Sequence, residues 1–198
     1  MGIVIIKYNA GNIQSVLFAL ERMGINADVT DDAEKIQKAD KVIFPGVGEA
    51  SSAMQYLKGR NLDKVIRELK QPTLGICLGM QLLCKHSEEN DTVCLDIVPV
   101  EVKKFPQNSA GTFKVPQIGW NNIYDLRSPL FKGVEENSYI YNVHSYYAED
   151  SEYTIAKCNY GIEYAAAIRK DNFYGVQFHT EKSAAVGEQI LKNFALNP

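Results

Sequence analysis

The sequence is short of most features that assign a protein to a class at a glance. Its 198 residues hold one tryptophan, three histidines and four cysteines. No two cysteines form a CxxC pair and the histidines lie far apart, so neither a metal site nor a metal cofactor is expected. No Walker A motif and no complete G-x-G-x-x-G occurs, which removes the usual signals for a bound nucleotide. Charge of one sign is not in excess: 21 Lys and Arg face 24 Asp and Glu, a net charge of −3. That balance gives no electrostatic case for nucleic acid or for an anionic membrane surface as partner. Long apolar runs are missing as well. The longest uncharged stretch of the first half, Gln71 to Cys84, is too short to span a bilayer. Ile3 to Ile6 is apolar but brief, with no basic segment ahead of it. No secretory leader is expected, the thiols are expected to be reduced, and a cytoplasmic location follows.

What is present is ordinary globular composition, 45% hydrophobic and 23% charged, at a length that suits one domain over residues 1–198. The first ninety residues alternate in type. Gly2 to Ile6 and Val42 to Phe44 are near-continuous apolar runs, as strands buried on both faces require, and Thr73 to Ile76, introduced by Pro72, is a fourth short strand. Ala27 to Thr30 is a further short strand. Asn12 stands where an N-cap belongs, ahead of Ile13, Val16, Leu17 and Leu20 on one helical face, and Gly24 stops the helix. Leu57 to Leu69 reads as a helix interrupted near Gly59, and Leu78 to Lys85 as the helix after the fourth strand. Alternation of this kind predicts a parallel sheet with right-handed crossovers. Beyond residue 90 the chain turns strand-rich: Val98 to Val102, Ile118 to Tyr124, Tyr139 to Val143, Thr154 to Lys157, Ala165 to Arg169 and Phe173 to Phe178. Lys170-Asp171-Asn172 supplies turn chemistry between the last two, and Leu191 and Phe194 lie on a closing helix. The expected fold is α/β, a single domain with a mixed, mostly parallel central sheet and flanking helices. Ligands are then expected beyond the carboxyl ends of the parallel strands.

One segment has reactive character. Gly75-Ile76-Cys77-Leu78-Gly79 places a cysteine between glycines at a strand-to-helix junction, the thiol counterpart of a nucleophile elbow. The glycines let strand and helix backbones come close. The helix N-terminus favours a thiolate, and the Leu78 N–H is placed to donate to an oxyanion. The alternative for any free cysteine is a small buried apolar residue; Cys84, in the body of the following helix, Cys94 and Cys158 are read that way. Such a thiol needs a base. If the last strand continues through Gln177-Phe178-His179-Thr180-Glu181, then His179 and Glu181 point to one side, and the carboxylate orients the imidazole. A solvated pair at a strand end is the alternative. His86 reads as a surface residue after a helix, and His144 as either base or binding residue. Pro45-Gly46-Val47-Gly48, at a strand end, could approach a ligand closely and supply a second oxyanion donor, or be a plain turn.

Together these residues resemble a class I (triad) glutamine amidotransferase. The matching segments are Pro45 to Gly48, Gly75 to Leu83, and Gly175-Val176-Gln177-Phe178-His179-Thr180-Glu181-Lys182-Ser183, in the family's order and spread over most of the chain. Three more resemble the glutaminase subunits of imidazole glycerol phosphate synthases: Tyr8-Asn9-Ala10-Gly11-Asn12 with Ser15-Val16, Lys114-Val115-Pro116-Gln117-Ile118-Gly119-Trp120-Asn121, and Tyr141-Asn142-Val143-His144-Ser145-Tyr146-Tyr147. The chain departs from the pattern at Lys7, where an acid is usual, at Gln117 for a common His, and at Thr180 for Pro. Glu49 and Ala50 replace a small residue followed by an aromatic. Thr180 restores a backbone N–H and a freer φ, which bears on local geometry and leaves the chemistry in place.

The resemblance implies a mechanism. Cys77 attacks the side-chain amide of glutamine, and His179 acts as base and then protonates the leaving ammonia. Glu181 holds the imidazole, and a thioester forms and is hydrolysed. It further implies an oxyanion hole from Leu78 with Val47 and Gly48, and glutamine contacts from Gly46, Gln81, Ser145 and Tyr146. The implied partner is a cyclase subunit folded as a (β/α)8 barrel, met through Asn12, Pro116, Trp120 and Tyr141 in a heterodimer. Ammonia passed to it yields imidazole glycerol phosphate and aminoimidazole carboxamide ribotide in histidine biosynthesis; no cofactor is implied. Three rivals stand beside this reading: a subunit serving another synthase, such as those making anthranilate or pyridoxal phosphate; a binding subunit without activity; and a free-standing cysteine hydrolase.

Overall fold

A computed structural model describes residues 2–9, 11–106 and 114–196. Ala10 of the Tyr8 to Asn12 segment therefore lies outside the described residues. Parallel strands form the half of the sheet that carries the site: β1 (Ile3–Ile6), β2 (Ala27–Thr30), β3 (Lys41–Gly46) and β4 (Thr73–Cys77). Between them run α1 (Ile13–Arg22), α2 (Ala33–Lys38), α3 (Ala50–Gly59) and α4 (Leu62–Glu68), and α5 (Leu78–Leu83) follows β4 directly. The strand-rich part adds β5 (His86–Ser87), β6 (Thr92–Val93), β7 (Glu101–Lys104), β8 (Gln117–Ile123), β9 (Ser138–His144), β10 (Tyr146–Ala148), β11 (Thr154–Asn159), β12 (Glu163–Lys170) and β13 (Phe173–Val176); α6 (Ala184–Leu196) closes the chain.

The main sheet runs β2-β1-β3-β4-β13-β12-β10-β7-β5-β6, with β11 paired to β12; β8 and β9 form a separate two-stranded ribbon. From β2 to β13 every pairing is parallel; β12 then pairs antiparallel with β13, β11 and β10. The sequence expectation of an α/β domain with a mixed, mostly parallel sheet holds. The apolar runs explain why. Side chains alternate across a strand, so one continuous run feeds two cores. Val4, Ile6, Val42 and Phe44 pack with Ile36, Leu57, Ile66 and Met80 on one face. Ile3, Ile5, Ile43, Leu74 and Ile76 pack with Val16, Leu20, Ile190 and Phe194 on the other.

Several expectations are corrected. The stretch from Leu57 to Leu69 is the end of one helix and the whole of the next: α3 starts at Ala50, and Asn61, left-handed at φ 57°, separates it from α4. α3 starts early because the Glu49 carboxylate caps it, accepting from the Ser51 and Ser52 amides. α5 ends at Leu83, so Cys84 is its cap and not part of its body. The strand expected over Val98 to Val102 lies at Glu101–Lys104, and α2, β5, β6 and β10 have no counterpart in the sequence reading. Asn12 precedes α1 but does not cap it with its side chain; it is left-handed at φ 77°, and its amide is engaged elsewhere. The strand expected over Phe173 to Phe178 stops at Val176.

Candidate active site

β4 ends on Cys77 and α5 begins on the next residue, so the thiol sits at a strand-to-helix turn of no intervening length. Its backbone is held at φ 53° and ψ −110°, outside the ordinary regions for a residue with a Cβ. The glycines make this turn possible. A Cβ on Gly79 would lie 1.7 Å from the Phe44 carbonyl oxygen, and one on Gly75 would lie 2.8 Å from the Gly79 and Met80 backbone. Helix and strands thus touch backbone to backbone around the nucleophile elbow expected from the sequence.

The topology brings the other components alongside. β3 and β13 flank β4 in parallel, with Gly46 opposite Cys77 and Val176 opposite Ile76. Pro45 to Gly48 therefore emerges on one side of the thiol and His179 on the other, all at carboxyl strand ends. His179 and Glu181 meet, but not by strand alternation: the chain leaves β13 and closes a 3-10 turn over Thr180–Lys182. In that turn His179 Nδ1 lies 2.8 Å from Glu181 Oε1. The His179 N–H donates to the Tyr141 carbonyl, and Ser183 Oγ donates to the His179 carbonyl at 2.6 Å. Both side chains are buried. Burial alone would push the imidazole down, but hydrogen bonds and charge from Cys77 and Glu181 outweigh it and hold its pKa above the usual histidine value. Burial likewise opposes ionisation of Glu181, and the contacts with His179 and Asn12 outweigh it and hold the carboxyl below its usual range. A charged imidazolium between the Cys77 sulfur and a carboxylate is the state these contacts favour. Asn12, assigned to an interface by resemblance, turns its amide inward and donates to Glu181 Oε1 at 2.6 Å.

Leu78, Val47 and Gly48 line a cleft of about 330 Å³ together with Cys77 and His179. Gly48 has φ 120°, a conformation that a side chain would strain. Gly46 does not line the cleft. It packs behind it, where an added Cβ would come 2.1 Å from the Tyr8 hydroxyl. Gln81, Ser145 and Tyr146 do line the cleft. Gln81 Nε2 donates to the Tyr146 carbonyl at 3.0 Å and to Gln177 Oε1 at 2.9 Å.

Two further residues reach the site without a role in the sequence reading. Glu89 reaches the cleft from a short 3-10 turn, Glu89–Asp91, and accepts from the Ala50 amide at 2.8 Å. Burial raises its pKa. Nothing local in the sequence marks it, since its place in the cleft depends on β5 and β6, strands of two residues each. Gln177 is buried beside the thiol, with Nε2 3.7 Å from Cys77 Sγ; its position two residues before His179 is the available signal. His144, open between two roles, is buried with Nδ1 against the Tyr146 carbonyl at 2.8 Å. Burial depresses its pKa to about 4, so the imidazole is neutral near pH 7, and its Nε2 faces the buried Tyr164 hydroxyl at 3.3 Å, a support of the cleft wall.

Of the residues assigned to a partner interface, Pro116 lines the cleft itself, and Trp120 and Tyr141 face each other across the ribbon with ring centroids 5.7 Å apart. Ile118, Trp120, Tyr139 and Val143 share that ribbon face and are exposed, an apolar surface beside the cleft.

Residues 4–198 match the family described as glutamine amidotransferase class-I. The chain belongs to the class-I glutamine amidotransferases. Among its relatives, the imidazole glycerol phosphate synthase subunit HisH of Bacteroides fragilis is 53% identical over 194 residues, 98% of each chain. That of Haemophilus influenzae is 45% identical over 195 residues, 98% of this chain and 96% of the other. Among solved structures, a putative GMP synthase protein of Thermoplasma acidophilum superposes with a TM-score of 0.74 at 19% identity, over 98% of this chain and 92% of that one. PurLQS of Thermotoga maritima gives 0.70 at 16%, over 98% and 96%; both show the fold. In this amidotransferase the departures find places. Thr180 opens the 3-10 turn, Glu49 caps α3, and Gln117 Oε1 accepts from the buried Tyr164 hydroxyl at 3.0 Å. Nothing in the structure explains Lys7.

Proposed function

We propose that this chain, as one domain over residues 1–198, is the glutaminase subunit of an imidazole glycerol phosphate synthase. The observation that carries the reading is Cys77 on its strained turn, facing a buried His179–Glu181 pair across the ends of adjacent parallel strands. Cys77 thiolate attacks the carboxamide carbon of glutamine. The oxyanion that forms is held by the Leu78 N–H and by an N–H of the Val47-Gly48 segment. The His179 imidazolium protonates the departing ammonia, leaving a γ-glutamyl thioester, and then activates the water that releases glutamate. Glu181 keeps the Nδ1 proton in place and stabilises the imidazolium, and Asn12 fixes Glu181.

Recognition of the substrate's α-ammonium follows from acceptors. Both Gln81 N–H bonds are spent on Tyr146 and Gln177, so its Oε1 is left to accept. Glu89 adds a carboxylate to the cleft lining. Ser145 and the Tyr146 segment complete the wall. Ammonia must leave without meeting bulk water, where it would be protonated. The apolar ribbon face around Trp120 and Tyr141, with Pro116 at its cleft end, suits a seal against the (β/α)8 barrel of the cyclase subunit in a cytoplasmic heterodimer. There ammonia joins the ribulosyl intermediate to give imidazole glycerol phosphate and aminoimidazole carboxamide ribotide. The test is to mix this chain with the cyclase subunit of the same organism, supply glutamine and the ribulosyl substrate without ammonium salts, and measure imidazole glycerol phosphate. Product with glutamine as the only nitrogen source is expected. Product only with added ammonium would refute the reading.

A further inference from the structure

Three side chains and one carbonyl form a buried line from the substrate wall to the nucleophile. The Tyr146 carbonyl accepts from Gln81 Nε2, which also donates to Gln177 Oε1, and Gln177 Nε2 in turn points to Cys77 Sγ at 3.7 Å. Gln177 has no accessible surface. Its backbone is fixed as well, the amide donating to the Ala166 carbonyl at 2.8 Å. Sγ also lies 3.9 Å from the Val143 carbonyl. These two contacts have opposite preferences. A carbonyl can only accept, so it suits the thiol, whose S–H donates to it. An amide N–H can only donate, so it suits the thiolate. Unlike His179, an amide neither takes up nor gives up a proton at any working pH, so it stabilises the anion without competing for the proton that leaves it.

Resting on the assignment of Cys77 as nucleophile, we propose that Gln177 is a catalytic residue that holds the thiolate, and that Gln81 couples it to the substrate. An ammonium docked on Gln81 Oε1 polarises the Gln81 amide, which strengthens its donation to Gln177 Oε1. That in turn strengthens the Gln177 N–H aimed at Sγ, since hydrogen bonds in series reinforce one another in a low dielectric. The nucleophile is then most strongly activated when the correct ligand is present.

The experiment uses the full chain and two readouts. Alkylation of Cys77 by iodoacetamide, followed by peptide mass across pH 5 to 9, needs neither substrate nor partner. Turnover at saturating glutamine with the cyclase subunit gives kcat and KM. Gln177→Leu is expected to displace the alkylation profile to higher pH. It is also expected to lower kcat about 10- to 100-fold, the worth of a hydrogen bond to a charged group, with KM little changed. A folded Gln177→Leu with the wild-type profile and kcat would overturn the proposal. If that variant does not fold, Gln177→Glu keeps the shape but sets a carboxylate against the thiolate; it must slow alkylation at neutral pH, and an unchanged rate would overturn the proposal. Gln81→Met tests the coupling. In the alkylation readout, which needs no substrate and so is blind to the contact Gln81 makes with glutamine, it should displace the profile in the wild-type background and add nothing to Gln177→Leu, whereas additive displacements would refute the relay. Turnover by Cys77→Ala would instead defeat the nucleophile assignment itself, a separate outcome.

Discussion

His179 and Glu181 pull each other's proton equilibria in opposite directions, and this has consequences for both rate and stability. His179 moves the proton in the proposed mechanism and Glu181 only holds the imidazole, so their losses are unequal. With glutamine saturating and partner present, His179→Asn should cost about 10⁵- to 10⁶-fold in kcat, and Glu181→Gln roughly ten- to a hundredfold less than that. His144→Asn should keep measurable turnover, because the buried neutral imidazole supports the cleft wall through the Tyr146 carbonyl. A dead His144→Asn beside an active His179→Asn would show that the base is misassigned. The pair also shapes stability against pH. The folded-state pKa of His179 is raised, so its contribution is full below its ordinary 6.5 and is lost as pH rises through the folded value. That of Glu181 is lowered, so its contribution is full above its ordinary 4.5 and is lost as pH falls through the folded value. Both are complete between those two pH values. The difference in Tm between the wild type and Glu181→Gln should therefore be widest near pH 5 to 6 and narrow toward pH 9; a gap that widens with pH would contradict the charge state assigned to the pair.

The elements that build the site tolerate change very unevenly. Gly79→Ala would drive a methyl into the Phe44 carbonyl, and strand and helix cannot separate without moving Cys77. A loss of at least about 1–3 kcal/mol is expected from urea unfolding. Gly59→Ala, at the end of α3 with open space around it and no unusual backbone angle, should stabilise by about 0.4–1 kcal/mol in the same assay. The elbow is legible in the sequence because its chemistry is local: two glycines, a cysteine, an apolar strand before and a helix after. The parallel strands are legible for the same reason, each an uninterrupted run such as Ile3 to Ile6 or Val42 to Phe44. Glu89 is not, because strands of two residues have no periodicity, and its arrival in the cleft depends on pairings with β7. Nor is the true geometry of His179 and Glu181. Two-residue spacing is shared by a strand and by the tight turn that occurs here, and sequence cannot distinguish them. Asn12 looks like a cap because it is a capping residue type ahead of a helix; its amide is satisfied by a carboxylate 169 positions away. On the β8–β9 ribbon, Trp120 and Tyr141 form the aromatic centre of the exposed face. Trp120→Ala should weaken binding of the cyclase subunit by about 2 kcal/mol or more in titration calorimetry while leaving the melting of the free chain within about 1 kcal/mol.

At the scale of the whole molecule, the cleft lies at one end of the parallel strands and opens beside the ribbon, so a partner seated there would cover both the exit for ammonia and the Pro45 to Gly48 turn. Free hydrolysis wastes glutamine, and a turn containing two glycines can hold an oxyanion donor out of place until the partner sets it. The isolated chain should therefore hydrolyse glutamine slowly and be stimulated by the ligand-bound cyclase, by about 10²- to 10³-fold if a single oxyanion donor is what the partner supplies. Full activity of the lone chain would favour an independent hydrolase. Beneath all of this is the identity of the nucleophile. Burial raises the pKa of Cys84, Cys94 and Cys158, so none of the three is disposed to react. The most direct test is treatment of the full chain, with its partner, by an irreversible glutamine analogue, the adduct being located by peptide mass. One adduct on Cys77 and none on the other three cysteines is the predicted result, with loss of turnover in proportion to labelling. An adduct on any other residue, or continued turnover once Cys77 is fully labelled, would contradict it.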